Sequence, residues 1–221
     1  MRRLLALITL GALLASLLAV PLGTRAAGEQ AGGTLVDGTG KQIGTVQLVQ
    51  TAGGVAVMVS VTRVGALAPG DHGIHFHAVG KCDGPDFTSA GGHFNPTNKQ
   101  HGLDNPNGPH AGDLPNFTVG PSTASQGGYT FTATTSMITL TPGATSIFDA
   151  DGTALVIHAG MDDEKTDPAG NSGARVACAV LTAKAATGGT QPAAPAAAIP
   201  VAPPRTGEGG TALYIHRLGD G

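Results

Sequence analysis

Alternating side-chain character is the feature that most restricts the fold of this chain. Valine occupies every second position from Val55 to Val61, with small, polar or less branched residues between. Tyr129, Phe131 and Ala133 alternate with threonines in the same way. A period of two places one set of side chains on one face of an extended segment, and β-branched residues favour strands. Because no stretch beyond the first 26 residues has a helical period, the sequence predicts an all-β fold.

Short segments of this kind recur along the chain and are divided by turns that contain glycine or proline. We predict a strand before Asp37 and seven others near residues 43–50, 54–64, 72–79, 115–119, 127–135, 153–159 and 174–182. Short strands divided by turns favour an antiparallel sandwich or barrel. Two long segments, about 80–114 and 160–173, interrupt the series, and loops of that size in a compact domain are usually functional.

The two ends of the chain differ in composition from the strand-rich middle. Residues 1–26 have two arginines directly after Met1, continue with an apolar run and offer small residues for cleavage near their end, an order typical of a secretory signal peptide. An uncleaved membrane anchor is the alternative for this segment. Residues 185–221 begin with an Ala-, Pro- and Gly-rich stretch and are expected to form a linker and tail. The β domain is therefore predicted to span residues 27–184.

Charge and cysteine content restrict the partners of the chain and favour a disulfide bond. Without residues 1–26, nine basic residues would stand against 15 acidic ones, a net charge of −6. That balance disfavours nucleic acid and anionic membranes as partners. A signal peptide predicts export, to a secreted, periplasmic or cell-envelope location. Export would favour a disulfide between Cys82 and Cys178, with two unrelated buried thiols as the alternative.

Histidine is concentrated in one part of the sequence. Six of the eight histidines lie between positions 75 and 158, and an aspartate follows the fifth of them by three residues. These candidate ligands are His75, His77, His93, His101, His110, Asp113 and His158. Imidazole nitrogen binds copper and zinc, and a nearby carboxylate can complete a zinc shell. Any one of these histidines alone would be interpreted as a hydrogen-bonded structural residue, but their number indicates a metal site.

Strand geometry brings some of these ligands together. His75 and His77 are two residues apart, so they project from the same face of a strand, while Ile74 and Phe76 turn towards the core. His158 stands at the end of a second apolar strand. It could supply a third nitrogen to the same site.

The first long loop supplies the remaining candidate ligands. His93, His101, His110 and Asp113 offer three nitrogens and one carboxylate oxygen, the donor set of a closed tetrahedral zinc site. Seven candidate ligands are too many for one ion in common geometries. Two ions that share one imidazole would use all of them, with four nitrogens around a copper ion.

Five motifs resemble the successive signatures of copper/zinc superoxide dismutases, with connecting segments most similar to those of secreted bacterial members. They are GDHGIHFH at 70–77, GHFNP at 92–96, KQHG at 99–102, HAGDL at 110–114 and GARVAC at 173–178. The resemblance covers about residues 33–182. It implies an eight-stranded antiparallel Greek-key β-barrel with two long functional loops. It also implies conversion of superoxide into oxygen and hydrogen peroxide by Cu(II)/Cu(I) cycling, with a structural zinc ion.

The resemblance assigns the ligands position by position. The copper ligands would be His75, His77, His93 and His158. The zinc ligands would be His93, His101, His110 and Asp113. The disulfide of the family would be Cys82–Cys178. His93 would therefore bridge the two ions and carry a proton during turnover.

Other positions are assigned in the same way. Asp162 would link a copper histidine to a zinc histidine outside the ligand shells, and Arg175 would attract the superoxide anion. His93 and Arg175 are thus the residues expected to act in catalysis. His72 corresponds to a structural histidine, and His216 lies outside the resemblance.

Three other functions remain open from the sequence. The main alternative is an exported copper- or zinc-binding protein without turnover. A copper-only dismutase is disfavoured because the zinc-type ligands are retained, and an adhesive sandwich would need no metal. Asn116 begins a formal glycosylation acceptor, a weak three-residue match. No motif indicates whether the chain is a monomer or a dimer.

Overall fold

The computed structural model describes residues 29–63, 66–121 and 128–184. The predicted signal peptide, the predicted tail and His216 lie outside the described residues, so the domain boundaries at 26/27 and 184/185 stay predictions. Among the residues that are described, no helix has the length and apolar character needed to cross a membrane.

Strands account for nearly all the regular structure of the described residues. They are β1 (Gln30–Asp37), β2 (Gln42–Thr51), β3 (Gly54–Val61), β4 (Gly70–His72), β5 (Ile74–His77), β6 (Phe117–Val119), β7 (Tyr129–Thr135), β8 (Ala154–His158), β9 (Arg175–Val180) and β10 (Thr182–Lys184). One short 3-10 turn covers Thr88–Ala90. The all-β prediction is confirmed.

Antiparallel pairing arranges these strands as a barrel. Hydrogen-bonded neighbours follow the order β5-β8-β9-β1-β2-β3-β7, while β10 pairs with β1 and β4 pairs with β6. β4 and β5 are halves of one broken strand, and β9 and β10 are separated by a single residue, which gives the expected eight strands. β6 lies against β7. The chain crosses from β3 to β4 and later returns to place β7 beside β3, the Greek-key path that was predicted.

The single strand predicted over 72–79 is wrong in its bounds, because the chain breaks at Gly73. β4 pairs with β6, whereas β5 pairs with β8. Between them, Gly73 N donates to Gly160 O and Gly73 O accepts from His158 N, both at 2.8 Å. A Cβ at position 73 would lie 2.8 Å from Ser172 Cβ and 3.1 Å from His75 Cε1. The absence of a side chain lets the loop between β8 and β9 approach this closely.

The alternation of β3 matches its burial. Val55, Val57, Val59 and Val61 are buried in the barrel core, whereas Met58 on the other face is 37% exposed. The hydrophobic effect therefore fixes which face of the strand points inwards.

β8 departs from alternation because both of its faces are covered. Leu155 and Ile157 belong to the barrel core. Val156 packs on the opposite side in a second cluster that includes Phe87 and Cys178. A strand that is buried on both faces is apolar on both, as β8 is from Ala154 to Ile157.

The second cluster lies under the long loop, residues 78–116 between β5 and β6. The predicted disulfide is present: Cys82 in this loop is bonded to Cys178 in β9, with Cα atoms 5.7 Å apart. Phe87, which precedes the 3-10 turn, is fully buried. The bond and the buried aromatic side chain together hold the loop against the outer face of β8 and β9.

Two other irregular segments join the later strands. The short loop, residues 159–174 between β8 and β9, is the second loop that the sequence predicted. Residues 136–153 between β7 and β8 form another that we did not single out. Gln50 of β2 ties that segment to the barrel, since Gln50 Oε1 accepts hydrogen bonds from Leu140 N at 2.8 Å and Thr139 Oγ1 at 3.0 Å.

Candidate metal centre

The seven predicted ligands meet between β5, the end of β8 and the long loop. None of their side chains is more than 7% exposed. Backbone pairing brings the loop to β5, because Phe76 N donates to Gly112 O at 2.9 Å and Phe94 N donates to Phe76 O at 2.8 Å. His93 thereby faces His77, and Asp113 faces His75.

Four histidines surround a common space. This four-histidine group consists of His75, His77, His93 and His158, and one ligand atom from each lies within 4.8 Å of the others. Four of their ring nitrogens are buried without a hydrogen-bond partner among the described residues: His75 Nδ1, His77 Nε2, His93 Nε2 and His158 Nε2. Buried polar atoms are almost always satisfied. Metal–nitrogen bonds of about 2 Å put opposite ligands of a planar ion about 4 Å apart, so the donor set fits one ion.

The other ring nitrogen of three of these residues is held by an acceptor. His75 Nε2 donates to Asp162 Oδ2 at 2.6 Å, His77 Nδ1 to Gly91 O at 2.9 Å and His158 Nδ1 to Gly173 O at 3.0 Å. A nitrogen that donates carries the ring proton, so its partner nitrogen presents a lone pair. Each of the three rings is therefore fixed in the tautomer that a metal ion needs.

Burial keeps these rings neutral. Burial and the neighbouring histidines together outweigh the hydrogen bonds to the acceptors, so the pKa of His75 is lowered to about 3, that of His77 to about 2 and that of His158 to about 4. Burial also lowers the pKa of His93. Near neutral pH the four nitrogens therefore need no deprotonation before they bind a cation.

The second set of predicted ligands gathers around Asp113, and we call it the aspartate group: His93, His101, His110 and Asp113. Asp113 Oδ1 lies 3.0 Å from His93 Nδ1, 3.1 Å from His101 Nδ1 and 3.5 Å from His110 Nδ1. His110 Nδ1 lies 3.4 Å from His93 Nδ1. Zinc bonds of about 2.0–2.1 Å give a tetrahedron with edges of about 3.3 Å. These four separations are close to the edge length of a zinc site.

The carboxylate of Asp113 is oriented by the backbone. Its Oδ2 accepts hydrogen bonds from Gly102 N at 2.9 Å and His110 N at 3.0 Å. Oδ1 is thereby left facing the three histidines. Burial raises the pKa of Asp113, but hydrogen bonds from the histidines and from Gly102 outweigh it and hold the pKa below its usual range.

By mutual distance alone, the group within 4.8 Å around Asp113 contains His75 in place of His110. We favour His110 because His75 Nε2 already donates to Asp162 and His75 Nδ1 faces the four-histidine group. His110 Nδ1, by contrast, points at Asp113 and His93.

Two side chains join the groups. His93 contributes Nε2 to the four-histidine group and Nδ1 to the aspartate group. Asp162 lies behind both, with Oδ2 bonded to His75 Nε2 and Oδ1 bonded to His101 Nε2 at 3.0 Å. Burial lowers the pKa of His101, but hydrogen bonds to Asp113 and Asp162 outweigh it and raise the pKa to about 10.

Arg175 stands beside the four-histidine group. It lies opposite His158 in the β8–β9 register. Its Nη1 donates to Phe87 O at 2.7 Å and its Nη2 to Gly91 O at 2.6 Å. Gly91 O also accepts from His77 Nδ1, so one carbonyl orients both a candidate ligand and the guanidinium. Burial lowers the pKa of Arg175, yet a guanidinium starts high enough to remain charged.

Sequence reasoning missed the hydrogen-bond acceptors that orient the candidate ligands. The carbonyls of Gly91 and Gly173 are invisible to motif analysis because every residue has one. Asp167, which we did not single out from the sequence, accepts a hydrogen bond from His101 N at 2.7 Å. His72 belongs to neither group; its nitrogens lie 2.7 Å from His158 O and 2.8 Å from Ala68 O.

Comparisons with known proteins point to one family. A family model described as copper/zinc superoxide dismutase (SODC) matches residues 42–181. Superoxide dismutase [Cu-Zn] 1 of Aquifex aeolicus is 46% identical over 148 residues, 66% of this chain and 84% of the relative. The superoxide dismutase-like protein YojM of Bacillus subtilis is 41% identical over 150 residues, 66% of this chain and 73% of the relative.

Solved structures of SOD-like proteins are also similar to this chain. The crystal structure of a SOD-like protein from Bacillus subtilis has a TM-score of 0.62 at 40% identity, covering 67% of this chain and 97% of that one. A double mutant of that protein has a TM-score of 0.61 at 42% identity, covering 67% and 95%.

Proposed function

Because the chain belongs to the copper/zinc superoxide dismutase family, we propose that the four-histidine group binds copper and the aspartate group binds zinc. The activity is the conversion of two superoxide anions and two protons into oxygen and hydrogen peroxide. Support for the metal assignment comes above all from the four buried ring nitrogens that face one space without a partner among the described residues.

The donor sets distinguish the two ions. Four imidazole nitrogens suit the tetragonal preference of Cu(II), whereas three nitrogens and a carboxylate in a tetrahedron suit zinc. Copper supplies the electron transfer when bound, since it alternates between Cu(II) and Cu(I) and zinc has no redox change. The protein has to attract the anion, provide a proton and keep the ligands in place.

Arg175 attracts and orients the anion. Its two hydrogen bonds to the long loop fix the guanidinium next to His77 and His158. A positive charge that does not titrate near neutral pH favours the binding of a small monoanion.

His93 holds the proton. Its Nε2 has no partner among the described residues, while its Nδ1 lies 3.0 Å from Asp113 in the aspartate group. We infer that Nε2 takes up one proton after the first superoxide is oxidised and passes it to the second, which takes its other proton from water; zinc in the aspartate group would hold Nδ1 meanwhile. The ring then cannot rotate away between the two steps.

Metal content and turnover of the purified protein test this proposal. We expect one copper and one zinc per chain, with superoxide turnover that is lost when copper is removed. His93→Gln should remove the Nδ1 ligand and the proton carrier, so zinc retention and turnover should both fall. Both metals bound without turnover would favour the metal-binding alternative, and one kind of ion in both groups would refute the assignment.

We also propose that the chain is exported. The Cys82–Cys178 disulfide is typical of oxidising compartments, and residues 1–26 have the order of a signal peptide. Expression of the full chain in a bacterium, followed by fractionation and N-terminal sequencing, tests this. Protein that stays in the cytoplasm with an intact N-terminus would contradict it.

A further inference from the structure

Asn116 connects the two loops that carry the metal-site residues. It follows Asp113 by three positions, at the end of the long loop, and its side chain reaches the short loop. Asn116 Nδ2 donates to Asp162 O at 2.9 Å, and Asp162 N donates to Asn116 Oδ1 at 2.8 Å. The amide thus pairs with the main chain of Asp162 as a neighbouring strand would.

This pairing fixes the residue that joins the two groups. No other partner for Asp162 N or Asp162 O occurs in the described part of the chain. The side chain of Asp162 starts from that backbone and reaches His75 with Oδ2 and His101 with Oδ1. A small rotation of the backbone would therefore move both oxygens together.

A third bond extends the connection. Asn116 Nδ2 also lies 3.2 Å from Glu164 Oε1, and Glu164 N donates to Asp162 Oδ1 at 2.7 Å. Asn116 thus contacts both ends of the 162–164 segment. Its amide is fully engaged by protein atoms, so the formal glycosylation acceptor is interpreted as a structural contact.

We propose that Asn116 is a positioning residue for the metal centre. It holds the main chain of Asp162, and through it the carboxylate that orients one ring of each group. This inference rests on the proposed assignment of copper and zinc. Loss of the amide should weaken metal binding although Asn116 touches neither donor set.

Asn116→Ala tests the role, with Gln50→Ala as a matched control. Gln50 also ties a loop through its side-chain amide, but that loop supplies no candidate ligand. In Asn116→Ala we expect the Asp162 amide of the metal-free protein to exchange its hydrogen at least about tenfold faster. We expect zinc affinity, measured by chelator competition, to fall about tenfold, as for outer-shell partners of metal ligands. Gln50→Ala should change neither quantity.

A double-mutant cycle separates positioning from general destabilisation. If Asn116 acts through Asp162, Asn116→Ala should weaken zinc binding in the parent protein and have little further effect in Asp162→Asn. Equal effects in both backgrounds, or no effect in the parent, would overturn the proposal. If Asn116→Ala does not fold, Asn116→Asp replaces it, since the carboxylate keeps the size and one acceptor but loses the donor to Asp162 O. We expect the same loss of zinc affinity, and parent-like affinity would overturn the proposal.

The proposed function fails in a different way. A parent protein that takes up no zinc overturns the metal assignment, and this inference with it, whatever the variants do. A parent that binds zinc, with Asn116→Ala binding equally well, overturns this inference alone.

Discussion

Replacing Gly170 with alanine should displace Asp162 and weaken zinc binding. Gly170 has φ +60°, a conformation that disfavours residues with a side chain. A Cβ there would overlap Asp162 Oδ1 and lie 2.7 Å from His101 Nε2. The carboxylate cannot share that space, so its hydrogen bond to His101 should break.

The expected magnitude has two parts. Alanine at positive φ costs about 1–2 kcal/mol. A hydrogen bond to a charged group contributes about 1.5–3 kcal/mol, so the metal-free variant should lose about 2.5–5 kcal/mol of unfolding free energy in total. Zinc affinity should fall about 10–100-fold, the usual effect of losing a partner that orients a metal ligand.

Gly40→Ala is the matched control. Gly40 has φ +79°, and a Cβ there would meet nothing within 4 Å. The control should carry only the backbone cost and leave zinc binding unchanged. Urea unfolding of both metal-free variants and zinc titration against a chelator measure the difference. If Gly170→Ala binds zinc as tightly as Gly40→Ala, the position of Asp162 does not matter for the zinc site and our reasoning is wrong.

Three further predictions concern charge, pH and the disulfide. Arg175→Gln should lower superoxide turnover at least about tenfold and flatten its salt dependence with both metals retained; Lys41→Gln, at an exposed residue between β1 and β2, is the control, and unchanged kinetics in Arg175→Gln would contradict the role. Zinc affinity of the metal-free protein should rise about tenfold per pH unit from pH 6 to 9. The reason is that zinc must displace the proton that His101 keeps because its pKa is about 10. A zinc affinity that does not change with pH would refute this. Replacing Cys82 and Cys178 with serine should cost about 4–5 kcal/mol of unfolding free energy, and a much smaller loss in urea unfolding would point to other anchors of the long loop.

The strands could be predicted because their signal is local. The spacing of the valines in β3 is enough to predict a strand with one buried face. The continuous apolar residues of β8 are enough to indicate a buried strand. The break at Gly73 was missed because its cause is distant. Ser172, about a hundred positions later, is the residue that leaves no space for a side chain there.

The same distinction holds in the metal centre. A cluster of histidines with an aspartate is uncommon in a sequence, so its spacing marks candidate metal ligands. The structure brings all seven of them together. The acceptors behind them are backbone groups such as Gly91 O, which residue type does not mark. Asn116 matched only a glycosylation motif in the sequence. Its proposed role beside the metal centre follows from the hydrogen bonds between its amide and the main chain of Asp162.

With copper in the four-histidine group, as proposed, the four lone pairs that face one another there make the supply of copper a determinant of how long the folded chain persists. Without a cation, that space holds unsatisfied polar atoms in a buried setting, which disfavours the native state. An ion that binds only the native state stabilises it by about 4 kcal/mol at a thousand times its dissociation constant. Chains made in a copper-starved cell should therefore open more often, meet proteases sooner and decline in abundance, so that the amount of enzyme follows the metal available to it.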